Sequence, residues 1–166
     1  DPDDDEARRA ELAQRLNLQP EEVWSYLFEG DPARRWFRGE IDREAFWIEV
    51  LRPRGITDPE DIHSISSTVF NGRERVNAEM AALLHELYGR YKLAVLSNTG
   101  WSEAEMTRLF YNDFGLPDQL FDVIVSSHSA GKAKPDPAIF QLAIDRLGVQ
   151  PKEAIYTDDV ARYTAS

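Results

Sequence analysis

The sequence predicts an α/β fold, in which an all-helical subdomain precedes a parallel sheet flanked by helices. Up to about residue 70, every periodic apolar segment has the i, i+3/i+4 spacing of a helix. Beyond it, helical segments alternate with three short apolar runs, and such alternation is typical of parallel strands joined by crossover helices. The change falls near residues 71–76, so the predicted domains are a helical subdomain at 1–74 and a sheet domain at 75–166.

Helix-start signals support the helical interpretation of the first domain. Asp42 is a predicted N-cap for a helix that buries Phe46 and Trp47. Asp58 precedes Pro59, where a helix needs no N–H, and an acidic residue then favours the helix dipole. We therefore expect a small helical unit with aromatic side chains in its core.

The second domain contains the predicted strands, at residues 93–96, 121–125 and 154–156. The run at 93–96 is apolar on both faces, as expected of a strand that is buried on both sides. A helix with a Ser102–Glu105 capping box is predicted between the first two strands, and another begins at Asp136-Pro137. These elements predict a parallel sheet.

Composition and charge exclude several functional classes. The formal net charge is −11, and no basic stripe is present to replace the counterions of a nucleic acid or to bind an anionic membrane. The chain has no cysteine, no apolar run near the roughly 20 residues that cross a bilayer, and an acidic start unlike a signal peptide. We expect a soluble, cytoplasmic protein whose partner is a small molecule; a small anion remains possible.

Polar residues that could carry chemistry follow the three predicted strands. Ser97 and Asn98 follow the first strand, Lys134 lies beyond the second, and Asp158 and Asp159 follow the third. Because ligands bind at the carboxyl ends of parallel strands, these side chains could meet in one crevice. A hydroxyl and an ammonium suit phosphate oxygens, while paired carboxylates suit Mg²⁺.

At this point the chain resembles the haloacid dehalogenase-like (HAD) superfamily, specifically subfamily I with a helical cap. Segments 96–99, 134–140 and 155–159 resemble motifs II, III and IV of that family; they read LSNT, KPDPAIF and IYTDD. The helical first domain resembles the family's cap, including the 39–41 segment ahead of a helix. The similarity runs from about Ala7 to the last residue.

The resemblance implies a Rossmann-like core with an all-helical cap and an Mg²⁺-dependent phosphatase that acts on a small phosphorylated metabolite. Ser97 would then hydrogen-bond the phosphoryl group, with Asn98 close by. Lys134 would offset the phosphoryl charge, and Asp159, supported by Asp158, would hold Mg²⁺.

One family motif is missing from the sequence. Motif I, an apolar strand ending in the nucleophilic aspartate, has no counterpart here. We therefore expect the nucleophile to lie upstream of Asp1, the first and last strands of the family's core to be absent from these residues, and the 166 residues alone to be inactive.

Two other functions remain open. A 2-haloacid dehalogenase is the nearest rival enzyme, although the resemblance implies that such enzymes need no metal and usually lack the paired aspartates. A catalytically inactive binding module is the rival from another class, favoured by the missing motif. The sequence predicts neither the substrate nor the oligomeric state.

Overall fold

The computed structural model describes residues 2–70 and 77–163 and divides the chain into two compact units. The first unit comprises Asp1–Trp36 and Ile41–Glu74, and the second comprises Phe37–Glu40 and Arg75–Ser166. The short Phe37–Glu40 segment therefore belongs with the second unit, although it lies far ahead of the predicted boundary. That boundary itself falls within residues 71–76, outside the described residues.

The described residues of the first unit form helices only. These are α1 (Pro2–Leu16), α2 (Val23–Phe28), α3 (Asp31–Phe37, whose last residue groups with the second unit), α4 (Arg43–Leu51) and α5 (Pro59–Val69). The predicted caps are confirmed: the Asp42 carboxylate accepts from the Ala45 N–H at 2.8 Å, and that of Asp58 accepts from the Glu60 N–H at 2.8 Å. Each satisfies an N–H that has no partner within its helix.

Aromatic side chains occupy the core of the first unit. The rings of Trp36 and Phe46 stack with centroids 4.4 Å apart, and the Trp47 ring meets Phe46 edge-on at 4.9 Å. All three side chains are buried. Burying each contributes about 1.5–3 kcal/mol or more, so this cluster is a main source of the unit's stability.

The second unit contains two parallel strands, β1 (Ala94–Ser97) and β2 (Val123–Ser126), paired in register from Ala94↔Val123 to Ser97↔Ser126. Its helices are α6 (Ala78–Leu87), α7 (Glu103–Arg108), α8 (Ser127–Ala130) and α9 (Pro137–Leu147). A π-helical turn, Leu109–Asp113, extends α7. The chain leaves β1, passes through α7 and returns as β2, which confirms the predicted α/β fold with a parallel sheet.

The core of this unit lies between the sheet and α9. Val125 of β2 packs against Ile139 and Ala143 of α9, and Leu96 of β1 is partly buried against them. Apolar side chains of α9 thus fix the helix over the carboxyl ends of the strands. The segment that leads into α9 is consequently positioned beside the end of β1.

Two expectations about the sheet are wrong. Residues 154–156 do not form a strand, and Ile155 is 94% exposed. A strand exists through hydrogen bonds to a neighbour, and within the described residues β1 and β2 pair only with each other. For the same reason β1 is not buried on both faces: Ala94 is exposed, and the rest of the strand is half-buried.

No helix in the described part of the chain is long and apolar enough to cross a membrane.

Candidate functional site

The candidate site forms where the loop after β1 meets the loop before α9. The Asn98 side chain, one residue beyond β1, joins these two loops. Its Nδ2 donates to the carbonyl oxygen of Lys134 at 3.0 Å, and its Oδ1 accepts from the Lys134 N–H at 2.8 Å. This reciprocal pair uses both ends of the amide, so the backbone of Lys134 is held in one orientation relative to the strand.

A buried ion pair lies at the centre of the site. The Lys134 Nζ is 2.6 Å from the Asp158 Oδ2, and the two side chains are only 8% and 6% exposed. The same Nζ donates to the carbonyl oxygen of Leu96 in β1 at 3.1 Å. Lys134 therefore links the edge of β1 to the segment that carries Asp158.

Two further groups donate to the Asp158 carboxylate. The Tyr156 hydroxyl donates to Oδ2, the oxygen that Lys134 also binds. The Val160 N–H donates to Oδ1 at 2.8 Å. Both carboxylate oxygens are thus engaged, as a buried charge requires.

Aromatic rings flank the Lys134 ammonium. The Nζ lies 5.7 Å from the ring centroid of Tyr156 and 5.2 Å from that of Tyr163. Both distances are within the range in which a cation is attracted to a ring face. The Tyr163 hydroxyl also accepts from Asn98 Nδ2 at 3.4 Å, so this tyrosine contacts both the lysine and its positioning amide.

The ion pair shifts the pKa values of its members. Burial by itself would raise the pKa of Asp158, but hydrogen bonds from Lys134 and Tyr156 outweigh it and hold the pKa well below the ordinary value. Burial likewise opposes the charged form of Lys134, yet the Asp158 and Tyr156 contacts raise its pKa above the ordinary value. Burial and the neighbouring carboxylate raise the pKa of Tyr156. At neutral pH the site therefore holds an ammonium, a carboxylate and a neutral phenol.

Serine side chains at the end of β2 hold the loop that follows β1. The fully buried Ser127 accepts from the Thr99 N–H at 3.0 Å and donates to the Thr99 carbonyl oxygen at 3.2 Å. Ser126 donates to the Trp101 carbonyl oxygen, and Ser129 accepts from the Glu103 N–H at 3.1 Å. The backbone just beyond Ser97 and Asn98 is therefore fixed from β2 and α8.

The structure brings Asn98, Lys134 and Asp158 together but leaves the other two predicted site residues at its margin. Ser97 ends β1 opposite Ser126 and is half-buried. Asp159 is exposed, and its carboxylate has no ion-pair or hydrogen-bond partner among the described residues. Tyr156, Tyr163 and Ser127 were not predicted as site residues. Tyr156 lies within the 155–159 segment and Tyr163 shortly after it, whereas nothing in the sequence singles out Ser127.

Of the two adjacent carboxylates, that of Asp159 is the one that fits a magnesium ion. Both oxygens of Asp158 already accept hydrogen bonds, whereas Asp159 is open to solvent. Over the described residues no group of three or more His, Cys, Asp or Glu side chains could hold a metal. Magnesium commonly binds one or two carboxylates and completes its octahedron with water and substrate phosphate, so Asp159 fits as its ligand here, with Asp158 alongside.

The chain matches a known protein family and resembles a solved structure. The family model for haloacid dehalogenase-like hydrolases matches residues 30–162 of the chain. A solved structure of a predicted HAD-like family hydrolase from Porphyromonas gingivalis superposes with a TM-score of 0.70 at 23% identity, covering 99% of this chain and 78% of that one. At that identity the likeness concerns the fold alone.

Curated relatives are matched over only part of their length. Acyl-CoA dehydrogenase family member 10 of Mus musculus is 44% identical over 145 residues, which are 83% of this chain and 13% of the mouse protein. Bifunctional epoxide hydrolase 2 of Sus scrofa is 42% identical over 43 residues, 26% of this chain and 8% of that protein. A phosphatase of Mycobacterium tuberculosis is 43% identical over 42 residues, 25% of this chain and 19% of that protein. The chain therefore spans less than a fifth of the length of each of these relatives.

Proposed function

Because this chain belongs to the haloacid dehalogenase-like hydrolase family, we propose that the protein is an Mg²⁺-dependent phosphatase of small phosphorylated metabolites. The observation that carries the proposal is the buried Lys134–Asp158 pair, held by Asn98 beside the end of a parallel strand. A lysine that served only solubility would not be buried among a carboxylate, a carbonyl and two rings.

Lys134 supplies the positive charge in this proposal. An ammonium has three N–H groups, and Lys134 donates to Asp158 and to Leu96 within the described residues. The third N–H, on an ammonium that also contacts the Tyr156 hydroxyl, is the one that this proposal assigns to an incoming phosphoryl oxygen. The lysine would neutralise charge on the phosphoryl oxygens, the main catalytic task in phosphoryl transfer. Asp158 keeps the ammonium charged and oriented.

The remaining predicted residues complete the site. The Ser97 hydroxyl donates to a phosphoryl oxygen, and Asn98 holds Lys134 in place through its backbone. Asp159 would hold Mg²⁺, supported by Asp158, and the ion when bound would supply further positive charge to the phosphoryl oxygens. This proposal assigns the nucleophile to an aspartate that is not among these 166 residues. Its carboxylate oxygen would displace the alcohol from phosphorus, and water would then hydrolyse the aspartyl-phosphate and release inorganic phosphate.

The substrate class follows from charge and from the relatives. A net charge of −11 opposes binding to nucleic acid, so a small ester that presents its phosphate to one local lysine is favoured. One relative is named a phosphatase, which supports this choice over the dehalogenase, although its match is short. The exposed Asp159 beside Asp158 also favours a metal-assisted reaction over a metal-free one.

The test is hydrolysis of p-nitrophenyl phosphate by the longest natural form of the protein, with Mg²⁺ or with EDTA. We expect activity only with Mg²⁺, and a loss of about 10²–10³-fold or more in Lys134→Ala. Lys132→Ala is the matched control, since this lysine is exposed and two positions away, and it should keep wild-type activity. Halide release from a 2-haloacid in EDTA would instead establish the dehalogenase, and absence of both activities would count against both enzymes and favour an inactive binding module.

A further inference from the structure

We infer that Tyr156 is a positioning residue of this site, acting through Asp158 to direct the Lys134 ammonium at the phosphoryl group. The inference rests on the proposed phosphatase function and gives a role to a residue of the 155–159 segment that the family resemblance leaves without one. Its basis is the hydroxyl contact to Asp158 Oδ2, the same oxygen that Lys134 binds. Tyr156 and Lys134 therefore donate to the same carboxylate oxygen.

The Asp158 carboxylate is held at three points. Val160 fixes Oδ1 through its N–H at 2.8 Å, while Lys134 and Tyr156 both donate to Oδ2. Without the tyrosine hydroxyl, Oδ2 would have the Lys134 ammonium as its one donor among the described residues. The carboxylate and the ammonium could then rotate together, and the third N–H of Lys134 would lose its fixed direction.

The ring of Tyr156 is itself fixed by the core of the second unit. It meets Phe140 of α9 edge-on with centroids 5.2 Å apart, and its face lies 5.7 Å from the Lys134 Nζ. Phe140 in turn packs against the cluster formed by Val125, Ile139 and Ala143. A chain of contacts therefore runs from the buried face of α9 through Tyr156 to Asp158.

The spacing of the two residues explains why this contact forms. Tyr156 and Asp158 are two positions apart in a segment that is not helical, and both side chains lie on the Lys134 side of it. A tyrosine on this side can place its hydroxyl on the carboxylate while its ring rests on α9. Phenylalanine at 156 would keep the ring contacts and lose only the hydroxyl, which makes Tyr156→Phe a clean perturbation.

The experiment compares steady-state hydrolysis of p-nitrophenyl phosphate by the longest natural form of the protein and three variants. We expect Tyr156→Phe to lower kcat about tenfold and to change KM less than about twofold, because misdirected charge weakens transition-state contacts more than binding. Tyr26→Phe is the matched control: Tyr26 donates to the Val50 carbonyl at 2.8 Å in the first unit, so it loses one comparable hydrogen bond outside the site. Its kcat should equal that of the wild type.

Folding losses are separated from positioning by urea unfolding curves for each variant, which give the folded fraction used to scale every rate. A scaled kcat for Tyr156→Phe equal to that of Tyr26→Phe would overturn the inference. So would a scaled loss that appears mainly in KM. Lys134→Ala, the third variant, distinguishes this failure from that of the proposed function: if it keeps wild-type activity, the phosphatase assignment falls, and the role of Tyr156 falls with it.

Discussion

The buried Lys134–Asp158 pair yields a stability prediction that can be measured on the 166-residue chain without any substrate. Lys134→Met removes the ammonium and keeps the length of the side chain, and Asp158→Asn removes the carboxylate charge and keeps its shape. Each leaves a charged partner that is at most 8% exposed in the native structure. Breaking a buried pair in this way costs about 3–5 kcal/mol of the free energy of unfolding.

We expect a loss at or just below the lower limit of that range, about 2–3 kcal/mol for each single variant. Asp158 keeps its bonds from Tyr156 and Val160 when Lys134 is lost, and the adjoining backbone lies near water, since Ile155 is 94% exposed. The double variant should lose less than the sum of the two, with a coupling energy of about 2 kcal/mol. A double-mutant cycle isolates the interaction energy of the pair, because the effects of each substitution on other contacts cancel.

The assay is urea unfolding followed by circular dichroism in an EDTA buffer, with the cycle evaluated from the midpoints at constant m. The matched control is the Arg34–Asp31 pair of α3, joined at 3.3 Å with side chains 57% and 67% exposed. Water and salt screen such a pair, so its coupling should stay below about 0.5 kcal/mol. A coupling at Lys134–Asp158 no larger than that of the control pair would refute the view that this pair is buried and functionally oriented.

Three further predictions concern the pH dependence of the ion pair, a glycine and a buried serine. The coupling energy between Lys134 and Asp158 should be constant from about pH 5 to 9 and shrink in acid. The folded-state pKa of Asp158 lies well below its ordinary 3.8, so the contribution declines as pH falls below 3.8 and is lost once pH has fallen through the folded-state pKa. The raised pKa of Lys134 moves the alkaline loss above 10.5. Urea curves of the same four proteins across pH test this, and a coupling unchanged at pH 2.5 would contradict it. Gly39→Ala should destabilise the chain by more than about 2 kcal/mol, because Gly39 has φ +67° and an added Cβ would lie 2.5 Å from the His128 carbonyl oxygen. The control is Gly55→Ala, which should cost only about 1 kcal/mol, because Gly55 has a similar φ of +75° but nothing within 4 Å of an added Cβ. Equal shifts in the thermal unfolding midpoints of the two variants would contradict the steric argument. Ser127→Ala should lower the free energy of unfolding by about 1–3 kcal/mol, because the Thr99 N–H would lose its hydrogen-bond acceptor. Ser25→Ala, at an exposed helix position, should lower it by less than about 0.5 kcal/mol. Equal unfolding midpoints for the two variants would contradict this prediction.

Local signals in the sequence predicted the helices well because a helix start is decided within four residues. Asp42, Asp58 and Asp136 each accept from an N–H two or three positions ahead, as expected for N-caps. Ser102 and Glu105 form the predicted reciprocal capping box. None of these contacts depends on a distant part of the chain, so composition and spacing suffice to find them.

The third strand could not be predicted from a local signal because pairing is not local. Residues 154–156 have the apolar composition of a strand, yet composition does not supply a neighbour with free N–H and C=O groups. The structure shows the consequence in exposure, since Ile155 is almost fully in water, whereas Val125 of β2 is completely buried. An apolar run is therefore evidence for a strand only together with its partner.

The candidate site also has features that the sequence predicts and features that only the folded structure reveals. The motifs predicted that Asn98, Lys134 and Asp158 would meet, and these three do meet. They did not predict that Asp158 would be engaged at both oxygens while Asp159 faces solvent, because adjacent carboxylates are equivalent in a sequence and differ only through the donors around them. Those donors, a hydroxyl two residues earlier and an N–H two residues later, make Asp158 a partner of the lysine and leave Asp159 as the carboxylate that fits magnesium. The proposed roles of Asp158 as the partner of Lys134 and of Asp159 as the magnesium ligand therefore follow from the hydrogen bonds around each carboxylate and not from their place in a motif.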